Sequence, residues 1–319
     1  MRIAVTGGAG FIGAHFVAAL LGQGHQVWAY DNFLAGHRTE RLPWREQATL
    51  VAGDVLDFDR LNASLQEFKP ELIFHLAAIH YIPYCNDHPA ETVRVNVEGT
   101  VNVMRAAQKC EGLNGVFFAS SAAVYDTSSV SHKETDPTAP SDVYGLSKVL
   151  GERVVRHYAA ESGLSYVLGR FFNVYGPDET NPHVIPAVLK QVMEGGKVRM
   201  GRTDTFRDFI YVADLVQALM KIGELLSSGK QVAEVYNLAS GQECSIARVV
   251  EIMGQTAGVK LDIITEERHV RPTDRQHLRA DIAKARRELG WAPAFSIARG
   301  LEEIVKAETA QLVETRSTQ

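Results

Sequence analysis

The segment Thr6–Gly13, with the sequence TGGAGFIG, decides the fold of this chain. It follows the β-branched run Arg2–Thr6 and opens the apolar helical pattern Phe11–Leu21, so its glycines lie in a turn from a strand into a helix. Glycines there let the backbone approach a pyrophosphate closely, and the helix N-terminus offers free N–H donors to the phosphates. The segment therefore predicts a dinucleotide-binding turn. Its residues expected at the cofactor are Gly7, Gly10, Phe11, Ile12 and Gly13.

An acidic residue ends the second predicted strand. The strand Gln26–Tyr30 runs into Asp31, 18 residues after Gly13. A carboxylate at this point accepts hydrogen bonds from the adenosine ribose and repels a 2′-phosphate, which favours NAD over NADP. Arg38, a few residues on, is a cation that would suit a 2′-phosphate. We predict NAD as the cofactor, with Asp31 and the adjacent Asn32 in its site.

Strands and helices alternate along the first half of the chain. Further strands are predicted at Thr49–Ala52, Leu72–Leu76, Gly115–Ser120 and Ser165–Phe171, and helices at Asp57–Phe68, about 90–109 and Val143–Glu161. Such alternation indicates βαβ units with right-handed crossovers, and hence an α/β fold with a doubly wound parallel sheet of the Rossmann type. After about residue 173 the alternation fades. We expect a cofactor-binding domain at 1–172 and a smaller α+β substrate lobe at 173–319, with some of the chain returning to the first domain.

Two more strand ends carry residues suited to a ligand, because ligands of open parallel sheets bind at the carboxyl ends of the strands. The third strand is followed by GDV and the fourth by small residues. We expect Asp54 to meet the adenine amino group, and the small residues to let the backbone approach the cofactor. Taken alone, each segment could equally be an ordinary loop. The residues expected at the cofactor here are Asp54, Val55, Leu76, Ala77 and Ala78.

Tyr144 and Lys148 are the candidate catalytic pair. They lie four residues apart at the start of a predicted helix, so they share one face. Such pairs are common by chance, and this one gains weight from its position after the fifth strand. Oxidation of a carbinol needs a base, which Tyr144 could supply as tyrosinate. At pH 7 only roughly one phenol in a thousand is ionised. The lysine ammonium and a positive nicotinamide must therefore favour the tyrosinate. Ser121, at the end of the fifth strand, is placed to hydrogen-bond the reacting oxygen, although a serine at such a position is often merely solvated.

Composition and charge exclude several classes of function. The net charge is −5 and the pI about 6.1, which argues against a broadly basic nucleic-acid binder. The cysteines, Cys85, Cys110 and Cys244, form no CxxC pair, and the histidines include no HExxH motif, so neither a disulfide framework nor a metal site is expected. No apolar run reaches the length of about 18 residues that a membrane span needs. These features predict a cytoplasmic protein with reduced thiols.

Together these motifs resemble the extended short-chain dehydrogenases/reductases, and more narrowly their NAD-dependent nucleotide-sugar epimerase/dehydratase branch, which includes UDP-galactose 4-epimerase. The resemblance covers about residues 1–312, and its ordered set of motifs is far more specific than any one of them. The motifs are TGGAGFIG at 6–13, Asp31, GDV at 53–55, HLAA at 75–78, SSAAVY at 120–125, YGLSK at 144–148, NVYGP at 173–177, RDFIYVADL at 207–215 and Arg271-Pro272.

The resemblance implies NAD as the cofactor and a nucleoside-diphosphate sugar as the substrate. It implies Tyr144 as the base, Lys148 on the nicotinamide ribose and Ser121 on the sugar oxygen. It also implies a grip on the diphosphate by arginines, whose planar forks suit phosphate. His80 and Tyr81 replace the family's usual small polar residues and are expected to face the sugar, which leaves its identity open. The residues expected at the substrate are His80, Tyr81, Ser121, Ala122, Asn173, Arg207, Arg271 and Asp274.

The residues after Ser121 indicate which reaction to expect. Relatives that eliminate water carry an Asp-Glu pair there, and decarboxylases usually a glutamate at the second position, whereas this chain has Ala122 and Ala123. We therefore expect a 4-epimerase, acting on a UDP-hexose by transient oxidation at C4. A 4-keto-sugar reductase, a UDP-glucuronate-type decarboxylase and a non-catalytic NAD(P) sensor are the alternatives. Leu278 lies where relatives set the pocket width, so an N-acetylated or carboxylated hexose stays open.

The resemblance also implies an assembly. The apolar faces of the helices at about 90–109 and 143–161 pair between subunits in this family. We therefore expect a homodimer built through a four-helix bundle.

Overall fold

The computed structural model describes residues 1–34, 42–127, 130–179, 181–266 and 275–317, with side chains up to residue 309. Arg38, Arg271 and Asp274 lie outside the described residues. The strands are β1 (Arg2–Thr6), β2 (Gln26–Asp31), β3 (Thr49–Ala52), β4 (Leu72–His75), β5 (Gly115–Ser121), β6 (Ser165–Phe171), β7 (Asn173–Tyr175), β8 (Lys197–Met200), β9 (Phe206–Tyr211), β10 (Ala233–Leu238), β11 (Glu243–Ser245) and β12 (Asp262–Thr265). The helices are α1 (Phe11–Gly22), α2 (Phe58–Phe68), α3 (Ile82–Asp87), α4 (Pro89–Val93), α5 (Gly99–Ala107), α6 (Val143–Ser162), α7 (Val184–Met193), α8 (Val212–Leu226), α9 (Ile246–Ala257), α10 (Ala283–Leu289) and α11 (Ile297–Ser317).

Seven strands form one parallel sheet in the order β3-β2-β1-β4-β5-β6-β10. Successive side chains of a strand point to opposite faces of the sheet. In β5, Phe117 therefore packs into a core shared with α1 and α8, while Phe118 packs into a second core shared with α2, α5 and α6. Helices cover both faces, which is why these strands are apolar throughout. The predicted doubly wound Rossmann sheet is confirmed.

The second half of the chain returns to this sheet through β10 and α8. β10 pairs in parallel with β6, from Ala233 beside Tyr166 to Leu238 beside Phe171. α8 packs against α1 and carries a buried apolar face. The sequence predicts that some of the chain returns to the first domain, but the pairing of β10 with β6 joins distant segments, which no local pattern reveals.

The smaller lobe is built from short strands and three helices. β7, β9 and β11 form one sheet, and β8 pairs with β12. Their core includes residues of α7, α9 and α11. Pro186 lies in the first turn of α7. A proline fits there because the N–H that it lacks has no partner within the helix.

The segment predicted to be helical at about 90–109 is not one continuous α-helix. α4 and α5 are joined by a π-helical turn, Arg94–Glu98, which buries the side chain of Asn96. Another short turn, of the 3-10 type, spans Ala122–Val124 just after β5. Among the described residues, no helix is both long enough and apolar enough to cross a membrane.

Candidate active site

One cavity of about 1650 Å³ runs across the carboxyl ends of the large sheet to the smaller lobe. The structure brings every described residue that the sequence analysis placed at the cofactor or the substrate to the wall of this cavity. Those residues are Gly7, Gly10, Phe11, Ile12, Gly13, Asp31, Asn32, Asp54, Val55, Leu76, Ala77, Ala78, His80, Tyr81, Ser121, Ala122, Tyr144, Lys148, Asn173 and Arg207. Their roles stay predictions, since the structure shows only where they lie.

The glycine-rich turn leaves no space for side chains. Gly7 has a φ of +72°, and a Cβ there would lie 2.7 Å from the backbone nitrogen of Ala77. A Cβ on Gly13 would lie 2.0 Å from the carbonyl oxygen of Gly7. The turn is therefore packed between the start of α1 and the end of β4.

Asp31 is tied to the same turn. One carboxylate oxygen accepts a hydrogen bond from the N–H of Ala9 at 2.9 Å, and the other accepts from the N–H of Phe33 at 2.8 Å. Burial raises the pKa of Asp31, and these backbone donors oppose the rise. Beyond it, the Asn32 amide donates to the Asp54 carboxylate at 2.9 Å. The two acids thus lie on adjacent parts of the cavity wall, at the ends of β2 and β3.

The first turn of α6 positions the candidate catalytic pair. Asp142 caps this helix by accepting a hydrogen bond from the N–H of Gly145 at 2.7 Å. Lys148 is buried, and its Nζ donates to the carbonyl of Ala119 at 2.8 Å and lies 5.8 Å from the centre of the Tyr144 ring. The Ser121 hydroxyl accepts a hydrogen bond from the N–H of Ala123 at 3.2 Å, and Ser121 and Tyr144 line the same cavity. Ser121, Tyr144 and Lys148 all line the cavity, and their catalytic roles stay predictions.

Burial dominates the electrostatics of this pair. It raises the pKa of the Tyr144 phenol, and the hydrogen bond with Ser121 opposes the rise. It also lowers the pKa of Lys148 to about 8. Both shifts have one cause, since a low-dielectric site penalises the charged form of either group. In the protein by itself, burial therefore favours the neutral form of both groups.

Asn96 is a positioning residue, which the sequence analysis did not single out. Its side chain makes two hydrogen bonds with the backbone of Ile79, one accepted from the N–H at 2.8 Å and one donated to the carbonyl at 2.9 Å. Its amide also donates to the hydroxyl of Ser147 on α6 at 2.9 Å. The segment after β4 is thereby held against the catalytic helix. A lone amide on the buried face of an apolar helical pattern was the available signal.

Arg275 is a second missed residue. Its guanidinium is buried and donates to the carbonyls of Ala122, Ala123 and Tyr125, the last at 2.7 Å. It thus holds the segment after β5, where relatives that eliminate water carry acids. The guanidinium of Arg207 donates to the carbonyl of Arg275 at 2.7 Å and faces the same cavity. Nothing near Arg275 in sequence indicated this contact, because its partners lie about 150 residues earlier.

His80 and Tyr81 lie beside three residues that the sequence did not single out, namely Glu179, Asn181 and His183. The Nε2 of His80 lies 3.0 Å from the amide nitrogen of Asn181, and the ring centres of His80 and His183 are 5.6 Å apart. Tyr81 lies 5.7 Å from the same ring of His183. The Nδ1 of His183 is hydrogen-bonded to the carboxylate of Glu179 at 2.5 Å. All five side chains line the cavity on the side of the smaller lobe.

The fold and the site define a protein of the short-chain dehydrogenase/reductase type. The defining features are the doubly wound sheet, the glycine-rich turn with Asp31, and the arrangement of Ser121, Tyr144 and Lys148. The chain belongs to the NAD dependent epimerase/dehydratase family, whose sequence model matches residues 3–239. This confirms the resemblance on which the sequence analysis relied, and it confirms NAD as the cofactor of the family to which the chain belongs. Among the described residues, no group of three or more His, Cys, Asp or Glu side chains could hold a metal ion.

Similar proteins cover nearly the whole chain. The UDP-glucose 4-epimerase of Rhizobium meliloti is 33% identical over 93% of this chain and 94% of its own length. The GDP-6-deoxy-D-mannose reductase of Pseudomonas aeruginosa is 30% identical over 95% of this chain and 96% of its own. Among solved structures, the UDP-glucose 4-epimerase of Thermotoga maritima with UDP-glucose has a TM-score of 0.90 at 28% identity, covering 98% of this chain and all of that one.

Proposed function

We propose that this protein is an NAD-dependent 4-epimerase of a nucleoside-diphosphate sugar, with a UDP-hexose as its substrate. One observation carries the proposal: Ser121, Tyr144 and Lys148 share a single cavity with the glycine-rich turn, while the next positions hold Ala122 and Ala123. Oxidation and re-reduction at C4 need only the first three side chains. Elimination of water needs a further acid and base, which these alanines do not provide.

The residues present fit NAD. The backbone at Gly7 and Gly13 has no space for a Cβ, as a turn against a pyrophosphate requires, and the carboxylate of Asp31 stands at the end of β2 for the ribose hydroxyls. Lys148 reaches the cavity beside Tyr144 to meet the second ribose. When bound, NAD supplies the hydride acceptor for C4 and the hydride for the opposite face of the resulting ketone.

Tyr144 is proposed to take the proton of the C4 hydroxyl on its phenol oxygen, while Ser121 holds the same sugar oxygen. Bringing a phenol of ordinary pKa to ionisation at pH 7 takes roughly 4 kcal/mol. A charge at about 6 Å supplies roughly 3 kcal/mol at an effective dielectric of 20, and burial of Tyr144 acts in the opposite direction. Lys148 is therefore insufficient alone. The phenol ionises only in a complex that adds a second positive charge.

Inversion at C4 requires the ketone to present both faces while the rest of the substrate stays bound. Asn173 and Arg207, at the smaller-lobe side of the cavity, are proposed to hold the diphosphate. Arg271 and Asp274, outside the described residues, are assigned to the same task. The short side chains of Ala122 and Ala123 line the sugar end and leave space for the ring to turn.

The test uses the purified protein with no added cofactor and a panel of UDP-, dTDP- and GDP-hexoses. We expect NMR to show inversion at C4 of a UDP-hexose, with no net formation of reduced cofactor and no loss of carbon dioxide. Turnover that requires stoichiometric reduced cofactor, or no turnover of any sugar in the panel, would contradict the proposal.

A 4-keto-sugar reductase is the second candidate. It uses the same three catalytic side chains, and the relative from Pseudomonas aeruginosa bears a reductase name. A reductase consumes one reduced cofactor for each sugar, so cofactor stoichiometry separates it from an epimerase. Ala123 disfavours a decarboxylase. The presence of Ser121, Tyr144 and Lys148 together disfavours a non-catalytic sensor.

The assembly is proposed to be a homodimer. The outward face of α4, the π-helical turn and α5 carries half-exposed Val93, Val97 and Val101, and α6 carries Leu146 and Leu150 beside it. Leu146 is 45% exposed, although it is apolar. Two copies of this helix pair would bury the stripe as a four-helix bundle. A dimeric mass by light scattering at micromolar concentration is expected, and a monomeric mass would refute the assembly.

The compartment is proposed to be the cytoplasm. Cys85 and Cys110 are buried free thiols and Cys244 is half-buried, which suits a reducing environment. Fractionation of cells that express the chain would test this assignment.

A further inference from the structure

Arg275 carries a buried positive charge that touches no carboxylate in the described part of the chain. The residue is 9% exposed and lines the cavity. Among the described residues its guanidinium donates to neutral oxygen atoms, which are three carbonyls and the hydroxyl of Ser141. A buried charge without an ion-pair partner destabilises a fold. This cost argues that the guanidinium serves the site as well as the fold.

The three carbonyls belong to the 3-10 turn that follows Ser121 and to the residue that ends it. Nη1 of Arg275 lies 3.3 Å from the carbonyl oxygen of Ala122. Nη2 lies 3.3 Å from the carbonyl oxygen of Ala123 and 2.7 Å from that of Tyr125. The Ala123 N–H in turn donates to the Ser121 hydroxyl at 3.2 Å. Since the two alanines give the turn no polar side chain of its own, a residue from a distant segment holds its backbone.

The same contacts reach the catalytic helix. A Cβ on Gly145 would lie 2.4 Å from the carbonyl oxygen of Ala123, so this carbonyl packs directly against the first turn of α6, beside Tyr144. Nη2 of Arg275 also lies 3.4 Å from the hydroxyl of Ser141, two residues before the helix. One guanidinium thereby fixes the turn after β5 and the start of α6 relative to each other.

The backbone of Arg275 is held separately from its side chain. Its carbonyl accepts a hydrogen bond at 2.7 Å from the guanidinium of Arg207, which lies on β9. Replacement of the Arg275 side chain removes none of the atoms in this contact. The proposed grip of Arg207 on the diphosphate and the hold of Arg275 on the turn are therefore separable by experiment.

We propose that Arg275 is a positioning residue for the C4 reaction, which keeps Ser121 and Tyr144 aligned on one sugar oxygen. This inference rests on the proposed function, because the two hydroxyls need this alignment only if both act on the C4 oxygen. Arg275 itself touches no reacting atom, since it acts through the carbonyls of the turn. A misplacement of reacting groups by about 1 Å costs about 10²-fold in rate.

The test compares Arg275→Ala with the natural protein in C4 inversion of a UDP-hexose. We expect kcat to fall by about 10²-fold. The Kd values for UDP and for NAD, measured by calorimetric titration of protein freed of cofactor, should change little. Millimolar guanidinium should restore part of kcat, because the truncation leaves a space in which the free cation meets the same carbonyls. A merely structural role would weaken binding as well and would gain nothing from the cation.

The matched control is Arg279→Ala, four residues further along the same segment. The guanidinium of Arg279 donates to the hydroxyl of Ser131 at 2.5 Å and not to the turn. We expect this variant to keep the kcat of the natural protein, with and without guanidinium.

A second comparison places Arg275→Ala in a Ser121→Ala background. There it should lower kcat by a much smaller factor than in the natural protein, because residues that act as a unit do not contribute additively. Thermal melts identify a variant that fails to fold. In that case Arg275→Lys decides, since an ammonium keeps the charge but lacks the planar fork that spans the three carbonyls. It should show the same loss of kcat with unchanged Kd values.

The outcomes separate the two proposals. Three results would overturn the inference about Arg275 and leave the proposed function standing: an unchanged kcat in the folded variant, a loss that guanidinium does not reverse, or an equal loss in the Ser121→Ala background. Absence of C4 inversion by the natural protein with any sugar would overturn the proposed function, and this inference with it.

Discussion

Asn96 and Ser147 are joined by a 2.9 Å hydrogen bond, in which the asparagine amide donates to the serine hydroxyl. The hydroxyl in turn donates to the carbonyl of Tyr144 at 2.7 Å. Since Asn96 also pairs with both backbone groups of Ile79, one amide connects the segment after β4 to the first turn of α6. The spacing between His80 and Tyr144 across the cavity therefore depends on a side chain that touches neither.

Replacement of Asn96 by alanine should destabilise the protein. The partly buried N–H and carbonyl of Ile79 would lose their partner, which costs about 2 kcal/mol of unfolding free energy. We expect C4 turnover to fall as well, because α6 and the segment after β4 would no longer be held together. Urea unfolding measures the first effect. The control is Asn114→Ala at an exposed position, and a variant at position 96 as stable as this control would contradict the bridging role.

Tyr144→Phe should remove turnover and spare the fold. A positioned base contributes about 10²–10⁴-fold to a rate, so we expect C4 inversion to fall by that factor. The melting temperature and the binding of NAD should change little, because the phenylalanine keeps the ring. Tyr158→Phe, farther along α6, is the matched control. Normal turnover in Tyr144→Phe would exclude the phenol as the base.

The rate should fall in alkaline solution through Lys148. Burial lowers the pKa of this lysine to about 8, so the ammonium loses its proton as the pH rises through that value. The charge beside Tyr144 disappears with it. We expect kcat/KM to decline above about pH 8, and Lys148→Arg to lack this decline because a guanidinium stays charged. An identical alkaline profile in both proteins would assign the decline to another group.

His75 should make the fold sensitive to acid. It is buried between the hydroxyls of Thr6 and Thr100, and burial lowers its pKa to about 3 from an ordinary 6.5. Below pH 6.5 the unfolded chain therefore binds a proton at His75 that the folded protein does not bind. The contribution of His75 to the free energy of unfolding is present above this pH and is lost as the pH falls towards 3.

Between pH 7 and pH 5 the loss attributable to His75 should be about 2 kcal/mol. Urea unfolding across this range measures it. His75→Gln should flatten the slope, whatever its effect on stability at pH 7, while His157→Gln on the exposed face of α6 should not. An equal slope in His75→Gln would show that other groups cause the acid sensitivity.

Asp31→Asn should weaken NAD and relax its discrimination against NADP. Hydrogen bonds to a charged group contribute about 1.5–3 kcal/mol, so the Kd for NAD should rise at least about tenfold. The Kd for NADP should fall relative to it, because the repulsion of a 2′-phosphate is gone. Calorimetric titration of protein freed of cofactor measures both, with Asp59→Asn on the surface of α2 as the control. An unchanged preference would place the ribose elsewhere.

Patterns within a few residues of each other determined most of the Rossmann half. The apolar runs and glycines around β1 and α1, and the four-residue spacing of Tyr144 and Lys148, depend on local geometry that a sequence displays directly. The last residue of β2, Asp31, could be placed in the same way. These features were predicted because strand alternation, helical spacing and glycine turns are set by neighbours in the chain.

Only the tertiary structure decided which distant segments meet. Three features join residues that are far apart in sequence. They are the place of β10 in the large sheet, the contact of Arg275 with the segment after β5, and the bridge through Asn96. The ring contact of His183 with His80 likewise joins residues about 100 positions apart. Hydrogen bonds and packing act over a few ångströms in space, so such partners are fixed by the folded topology and leave no periodic trace in the sequence.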